Sequence, residues 1–513
     1  MRQINLFHYW PLAITIILYF MFFGYLVFFQ HLPNGLNHDA AWNGLYATRL
    51  LMGEKFTFYV PEEYGKETIY HLTLSLIMSV IGINQAAINT TGFFWSIVGI
   101  IGMFILLKQL SKKPMVVLVG LLFYSLSSTL FIYAVSGWRL ITLIALSPFA
   151  LAAMVGFQNK PNRLNAFFMG VTSALLMYTY NAGRAQAISL AFFAIIYLII
   201  KRNKKILFNL LIATFVFFLA FLPMLKEAIS DPTIWMGRAQ ALSSDHHYFN
   251  KLITSLKLFS ISANGNDFFI KEPALELPVS ILWIVGLIVT FFNLKKYWPI
   301  LVNFIAFLLP VIISTPSYHR AIGVYSSIIC FAAIALEKIH RKNASKTQII
   351  AIYSFLIVIM FVSLSQRLLV EKITFQSGLG FYPEATSVGN YIKNNLQKYD
   401  KLIILANNWP KDILSFTVIP REPKTILKQN YQSYEYSGQE LTSYLISDIK
   451  NNKFKDADLE IIVEDNLLEK FVIQLNQNEC EFDVKQLIKN EYDYNNTTDS
   501  LIVAHYGRIT CSQ

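Results

Sequence analysis

Cysteine is scarce in this sequence, with three residues in 513. That excludes a disulfide framework and a cysteine-rich metal site. Cys330 lies inside an apolar block, while Cys480 and Cys511 lie in a polar tail and can pair if that tail faces an oxidising compartment. Charge is also sparse, at 15% of residues against 54% hydrophobic. A soluble core needs no such excess of apolar surface. The tail carries no glycine-rich phosphate loop and no His/Cys set at metal-ligand spacing. No small-residue cleavage site follows the first apolar run, Tyr9 to Phe29, so it reads as a retained span rather than a leader.

What the chain does have is a series of apolar blocks about 20 residues long, the length that spans a bilayer. They fall at about 9–29, 88–107, 115–133, 140–157, 163–179, 185–200, 206–225, 278–294, 297–314, 321–337 and 348–366, eleven expected spans. The formal charge of +11 does not indicate a nucleic-acid partner. Most Lys and Arg sit in short links such as Lys112–Lys113, Lys201–Arg202, Lys295–Lys296 and Lys338–Lys346, where they fix membrane orientation. These basic links read as cytoplasmic, with a cytoplasmic N-terminus. Segments 30–87, 134–139, 180–184, 226–277, 315–320 and everything after 366 then fall on the outer face. The segment Thr68 to Ile83 is apolar but short. As a full span it would invert every later link, so it reads as an interfacial or re-entrant helix.

From about residue 370 the apolar runs shorten to strand length, in KLIILA (401–406), LEIIV (459–463) and LIVAHY (501–506). They alternate with helical stretches, ATSVGNYIKNNLQKY and QELTSYLISDIKNN, and suggest a small α/β domain. The expected organisation is an α-helical polytopic membrane domain over 1–369, with its first outer loop at 30–87, and an extracytoplasmic α/β domain over 370–513.

The outer links share polar residues. Asp39, Arg49, Lys66, Glu67 and His71 lie in the first, Arg139 follows SGW, and Tyr178, Tyr180 and Arg184 flank TYNAG. Arg238 lies in MGRAQALS, and His319 and Arg320 in TPSYHR. Together they can line one cavity open to the outer face, since charge at membrane depth is costly and usually paired or functional. The competing explanation for each Arg and Tyr is an interface anchor or aromatic-belt residue. Arg184 fits that explanation poorly. It follows a sequence that continues a helix badly, and a backbone break beside a cation is tolerated only inside protein or against a wet cavity. Asn37 is a good helix cap and puts Asp39 in the first turn, where the helix dipole stabilises a carboxylate. Asp39, Trp42 or Asn43, and Tyr46 then share a face. A carboxylate there, with arginines on the same side of the membrane, suits a base acting on a substrate hydroxyl or amine beside a phosphate.

The order of HDAAWNGLYATRLLMGE, YGKETIYHLTLSLIMSVIG, SGWRLITLIALSPFALA, MYTYNAGRAQ, GRAQALS and TPSYHRAIGVYSSIICFAAIAL resembles the bacterial GT-C glycosyltransferases. It is most like family 39, which includes protein O-mannosyltransferases and lipid A aminoarabinose transferases. The resemblance covers roughly residues 9–340. It implies an integral-membrane enzyme that moves a sugar from a polyprenyl-phosphate carrier to a lipid, glycan or protein acceptor on the outer face, among membrane lipids. It places the catalytic base at Asp39. The family's adjacent second acid is replaced by Ala40, leaving Glu67 as a substitute or Asp39 alone. Lys66 matches a lysine that the family follows with two prolines, here Glu67 and Thr68. His38, Lys66, Arg139, Tyr180, Arg184, Arg238, His319 and Arg320 are the expected substrate-binding groups, with Arg184, Arg238 and Arg320 facing the phosphate. No nucleotide-sugar site is expected. A divalent metal shared by Asp39 and Glu67 is compatible with this reading but not required. The competing functions are a flippase for lipid-linked sugar, disfavoured by the absence of paired half-repeats, and a non-catalytic envelope-assembly protein, kept open by Ala40.

Overall fold

The computed structural model describes residues 9–30, 32–33, 35–60, 66–232, 247–261, 273–314, 316–341, 345–370, 381–395, 401–405, 411–418, 433–436, 459–477, 480–489 and 502–511. The chain divides into two compact units. One comprises Met1–Gln30, Lys55–Thr73 and Asn89–Leu379, and the other His31–Glu54, Leu74–Ile88 and Gly380–Gln513.

The first unit holds the membrane helices, and the protein is multi-pass. Among the described residues, eight helices are long and apolar enough to cross a bilayer: Trp10–Phe29, Gln85–Leu110, Leu140–Asn159, Asn181–Lys201, Lys204–Ser230, Leu294–Ile313, Tyr318–His340 and Thr347–Leu368. A ninth is added if Pro114–Ser125 and Ser128–Val135, bent by 45°, count as one span. A helix stands at each of the eleven expected positions, yet the count of eleven is not supported. Arg163–Met177 has 15 residues and Leu277–Phe292 has 16, about 22–24 Å at the helical rise, short of a hydrocarbon core about 30 Å thick. The Thr68–Ile83 segment forms a helix of 13 residues, Ile69–Ile81.

Burial sorts the helices. Tyr318–His340 is 89% buried over its apolar window, whereas Thr347–Leu368 is 17% buried and carries exposed Phe355, Val358 and Val362. A helix that keeps large apolar side chains exposed suits a lipid solvent. Close approach inside the unit depends on glycine at Gly92, where any Cβ would run into the carbonyl of Ala134.

The second unit gathers pieces remote in sequence. Leu36 and Asn37 pair antiparallel with Tyr382 and Phe381, and the Leu36 amide donates to Thr386 Oγ1 at 3.0 Å. Helix His38–Leu51 lies against Lys411–Val418, with Gly44 under the Phe416 ring. The expected change of character near 369/370 is therefore a change in sequence, while the compact unit also recruits His31–Glu54 and Leu74–Ile88.

A five-stranded mixed sheet completes this unit in the order Ser433–Tyr436, Lys401–Leu405, Leu459–Glu464, Ile502–Cys511, Cys480–Lys489. The first three strands run parallel and the last two join antiparallel. The three expected strands are present. Ser433–Tyr436 and Cys480–Lys489 were not read from sequence, since SYEY is short and CEFDVKQLIK lacks an apolar run. The expected helix over 439–452 lies outside the described residues. Helix Asp465–Asn476 covers the sheet with Phe471 and Leu475 against Ile461 and Val463. Cys480 is disulfide-bonded, and its register partner across the ladder is Cys511. Cys330 is free and buried.

Candidate active site

The first outer loop contributes a two-stranded ladder in which Tyr59 pairs with Glu67 and Val60 with Lys66. Phe58 is tied to the membrane helices, its amide donating to Glu227 Oε1 at 3.0 Å. This anchoring inserts Glu67 and Lys66 into the first unit, where they are 0% and 3% exposed.

Two arginines meet Glu67. Arg139 Nη1 lies 3.4 Å from Oε2, and Arg184 Nη2 lies 3.7 Å from Oε1. Each is placed by a local break in helical structure. Gly137, at φ +66°, makes the left-handed turn that brings Arg139 to the N-cap of Leu140–Asn159. Helix Arg163–Met177 ends before Tyr180, which is extended, and a short 3-10 turn, Asn181–Arg184, precedes the next helix. The backbone break expected beside Arg184 is present.

Aromatic faces complete the cluster. The Arg139 guanidinium sits 5.3 Å from the Tyr180 ring centre, and Arg184 donates to the Tyr59 hydroxyl at 3.0 Å. Burial pushes the Tyr59 phenol above its usual range and the Glu67 carboxylate adds to this, while Arg184 opposes it. Trp138 meets His319 edge to face at 5.6 Å, and His319 Nε2 is 3.3 Å from Ser317 Oγ. The structure thus groups Lys66, Glu67, Arg139, Tyr180 and Arg184 in one unit, with His319 next to Arg139's chain neighbour. Tyr178 instead donates to the Ala220 carbonyl at 2.8 Å, a packing role. Arg320 is half-buried on Tyr318–Ala321. Arg238 lies outside the described residues.

Asp39 and His38 belong to the second unit. Asn37 caps the helix, its side chain accepting from the Asp39 amide at 2.8 Å, as the sequence implies. Trp42 and Tyr46 stack at 5.9 Å along the helix, and Arg49 lies over Tyr46. His38 Nδ1 is 3.2 Å from Asp412 Oδ2. Asp39 lies in the first helical turn and is half-buried.

No three His, Cys, Asp or Glu side chains converge as metal ligands would, among the described residues. Glu67 turns both oxygens toward guanidinium groups, which disfavours a dication there. Tyr59 and Glu227 escaped the sequence reading because nothing local marks a loop tyrosine or a helix-end glutamate as part of a remote cluster.

No protein-family model and no curated protein matches the sequence. Solved structures do match. ArnT from Cupriavidus metallidurans bound to undecaprenyl phosphate aligns with a TM-score of 0.59 at 10% identity, covering 97% of both chains. The apo form of ArnT gives 0.55 at 10% identity, covering 96% of this chain and 98% of that one. The archaeal oligosaccharyltransferase AglB from Archaeoglobus fulgidus, in complex with an inhibitory peptide and a dolichol-phosphate, gives 0.52 at 10% identity, covering 90% of this chain and 70% of that one. The protein has the GT-C fold, as the family 39 resemblance implies.

Proposed function

We propose that this protein is an integral-membrane glycosyltransferase that moves a sugar from a polyprenyl-phosphate carrier to an acceptor on the outer face of the membrane. The observation that carries the reading is the Glu67–Arg139–Arg184 cluster on a GT-C fold. A buried carboxylate that engages two guanidinium groups fixes their direction, and planar guanidinium forks suit phosphate oxygens. The ArnT and AglB structures contain a polyprenyl phosphate or a dolichol-phosphate, which supports the same class of carrier here.

Arg139 and Arg184, with Lys66, neutralise the phosphate as it departs. Asp39 accepts the proton of the acceptor hydroxyl or amine as that group attacks the anomeric carbon, and the carbon–oxygen bond to the phosphate breaks. Glu67 is assigned to holding the arginines rather than to taking the proton, because its oxygens already face two cations. His319, Tyr180 and Arg320 serve as further donor contacts. The likeness to transferases favours transfer over transport. The Cys480 disulfide supports an extracytoplasmic tail, with the cytoplasmic N-terminus that the basic links imply.

The test is turnover by the purified protein in lipid nanodiscs, with defined undecaprenyl-phosphate sugars and a panel of lipid, glycan and peptide acceptors. Release of undecaprenyl phosphate that depends on acceptor supports the reading. Movement of donor between the leaflets of proteoliposomes, without release, would replace it with transport.

A further inference from the structure

Helix Lys204–Ser230 carries, near its C-terminal end, a carboxylate that the transfer chemistry leaves unused. Among the described residues, Glu227 pairs with neither Arg139 nor Arg184, which both turn to Glu67. Its Oε1 accepts from the Phe58 amide at 3.0 Å, and its Oε2 is buried with no hydrogen-bond partner. A buried carboxylate oxygen left in that state costs free energy. An apolar side chain on the same membrane helix would not incur that cost. Stability alone therefore does not account for Glu227.

What Glu227 holds is the approach to the site. The amide it grips is one residue ahead of Tyr59. The Phe58 ring packs edge to face on Tyr178 at 5.5 Å, and Tyr178 is fastened to the Ala220 carbonyl of the Glu227 helix. Tyr59, in contrast, faces the cations. It is 7% exposed, its hydroxyl accepts from Arg184 Nη2 at 3.0 Å, and its backbone stands opposite Glu67 in the ladder.

Arg184 Nη2 thus takes both of these contacts, Tyr59 and Glu67, from one ladder. A ladder that shifts carries both with it and turns the guanidinium. A shift of about 1 Å at a reacting group can cost on the order of 10²-fold in rate. A charge-assisted hydrogen bond to the strand is a means of preventing that shift.

We infer that Glu227 is a positioning residue for donor binding: it holds the Tyr59–Glu67 ladder by the Phe58 amide and so sets the direction of the Arg184 guanidinium. The role in donor binding rests on the transferase reading, whereas the tie between Glu227 and the strand does not. The experiment uses the full-length protein in nanodiscs. Amide exchange over residues 56–60 is followed by mass spectrometry, and undecaprenyl phosphate affinity is taken from the concentration dependence of thermal unfolding. The variants are Glu227→Leu, Glu227→Gln, Tyr59→Phe and Glu227→Leu/Tyr59→Phe, with Glu227→Met in place of Glu227→Leu should that protein fail to fold.

Glu227→Leu is expected to speed exchange over 56–60 about tenfold and to weaken undecaprenyl phosphate binding about five- to twentyfold. Glu227→Gln keeps an oxygen for the Phe58 amide and should stay within about threefold of wild type. The double variant should bind clearly better than the product of the two single losses, because both act on Arg184 through Tyr59. Losses that simply multiply, or a Gln variant as weak as Leu, overturn the inference, since a defect in helix packing gives either. Unchanged exchange over 56–60 in Glu227→Leu overturns it too, as does faster exchange with unchanged affinity. A wild type that shows no response to undecaprenyl phosphate, while exchange still depends on Glu227, removes the carrier reading and with it the role in donor binding.

Discussion

Glu67 Oε2 lies 3.4 Å from Arg139 Nη1, and the two side chains are 0% and 6% exposed. An ion pair this deep is held by geometry, and Arg184, at 20% side-chain exposure, shares the same carboxylate. Removing one member of such a pair leaves charge buried without its partner.

Glu67→Gln is therefore expected to lower stability on the order of 3–5 kcal/mol and to abolish donor use. The double variant Glu67→Gln/Arg139→Met should be less destabilised than the sum of the two single changes. Thermal unfolding of all four proteins measures the coupling, and additive losses would show that the pair does not act as a unit.

Asp39→Asn is expected to reduce transfer by about 10²–10⁴-fold, the usual contribution of a general base. The Asn37 cap uses the backbone amide of residue 39, so the helix should persist and carrier binding should change little. Turnover close to wild type would move the proton-accepting role away from Asp39.

Arg184→Lys keeps the charge but gives up the planar guanidinium, whose Nη2 meets both the Tyr59 hydroxyl and Glu67. Its apparent donor affinity should fall clearly, and further with Arg184→Ala. Arg320→Lys is expected to act in the same direction but more weakly, since Arg184 and not Arg320 pairs with Glu67. An interface anchor would tolerate Lys at either position. Donor titrations that superimpose on wild type for both Lys variants would return them to that class.

How much of this was legible depends on whether a feature is local. The Asn37 cap and the break before Arg184 are written in a few adjacent residues, and both are present. The strands KLIILA and LEIIV announce themselves by apolar runs. The Glu67 cluster does not, because it joins a loop strand to two helix starts far along the chain, and sequence order carries no distance between them. Topology put Glu67 on the same outer face as Arg139 and Arg184, and the family resemblance marked it as a substitute acid, but neither paired it with those arginines. In the structure it lies buried against two guanidinium groups. The count of eleven is not confirmed at Arg163–Met177 and Leu277–Phe292, where apolar helices stand at the expected positions but have only 15 and 16 residues.

Gly44→Leu should destabilise the second unit by about 1–3 kcal/mol through overpacking, because a side chain there enters the Phe416 ring. Phe416→Ala should restore part of the loss in the double variant. Limited proteolysis of the segment after residue 380 reads the effect, and unchanged protection in Gly44→Leu would contradict the packing.

In intact cells, Cys480 should resist a membrane-impermeant maleimide until an impermeant reductant is added, and then react. Labelling that requires opened cells would place the tail in the cytosol. Disrupting the bond by Cys480→Ser should cost about 2–5 kcal/mol of stability in this region, seen as earlier loss of its protease resistance.

The pairing of Leu36 and Asn37 with Tyr382 and Phe381 sets an order of birth. The Asp39 helix is synthesised near the start, but the strand and the Phe416 ring that seat it are made some 340 residues later. Contacts so distant in sequence form late, after the loop between them has been closed. The membrane helices can be inserted while the Asp39 helix still waits for its support. A chain arrested before residue 380 would thus carry its membrane helices and its buried arginines, yet leave its acid without the surface that holds it. On this account the Asp39 helix is seated only after the membrane helices have been made.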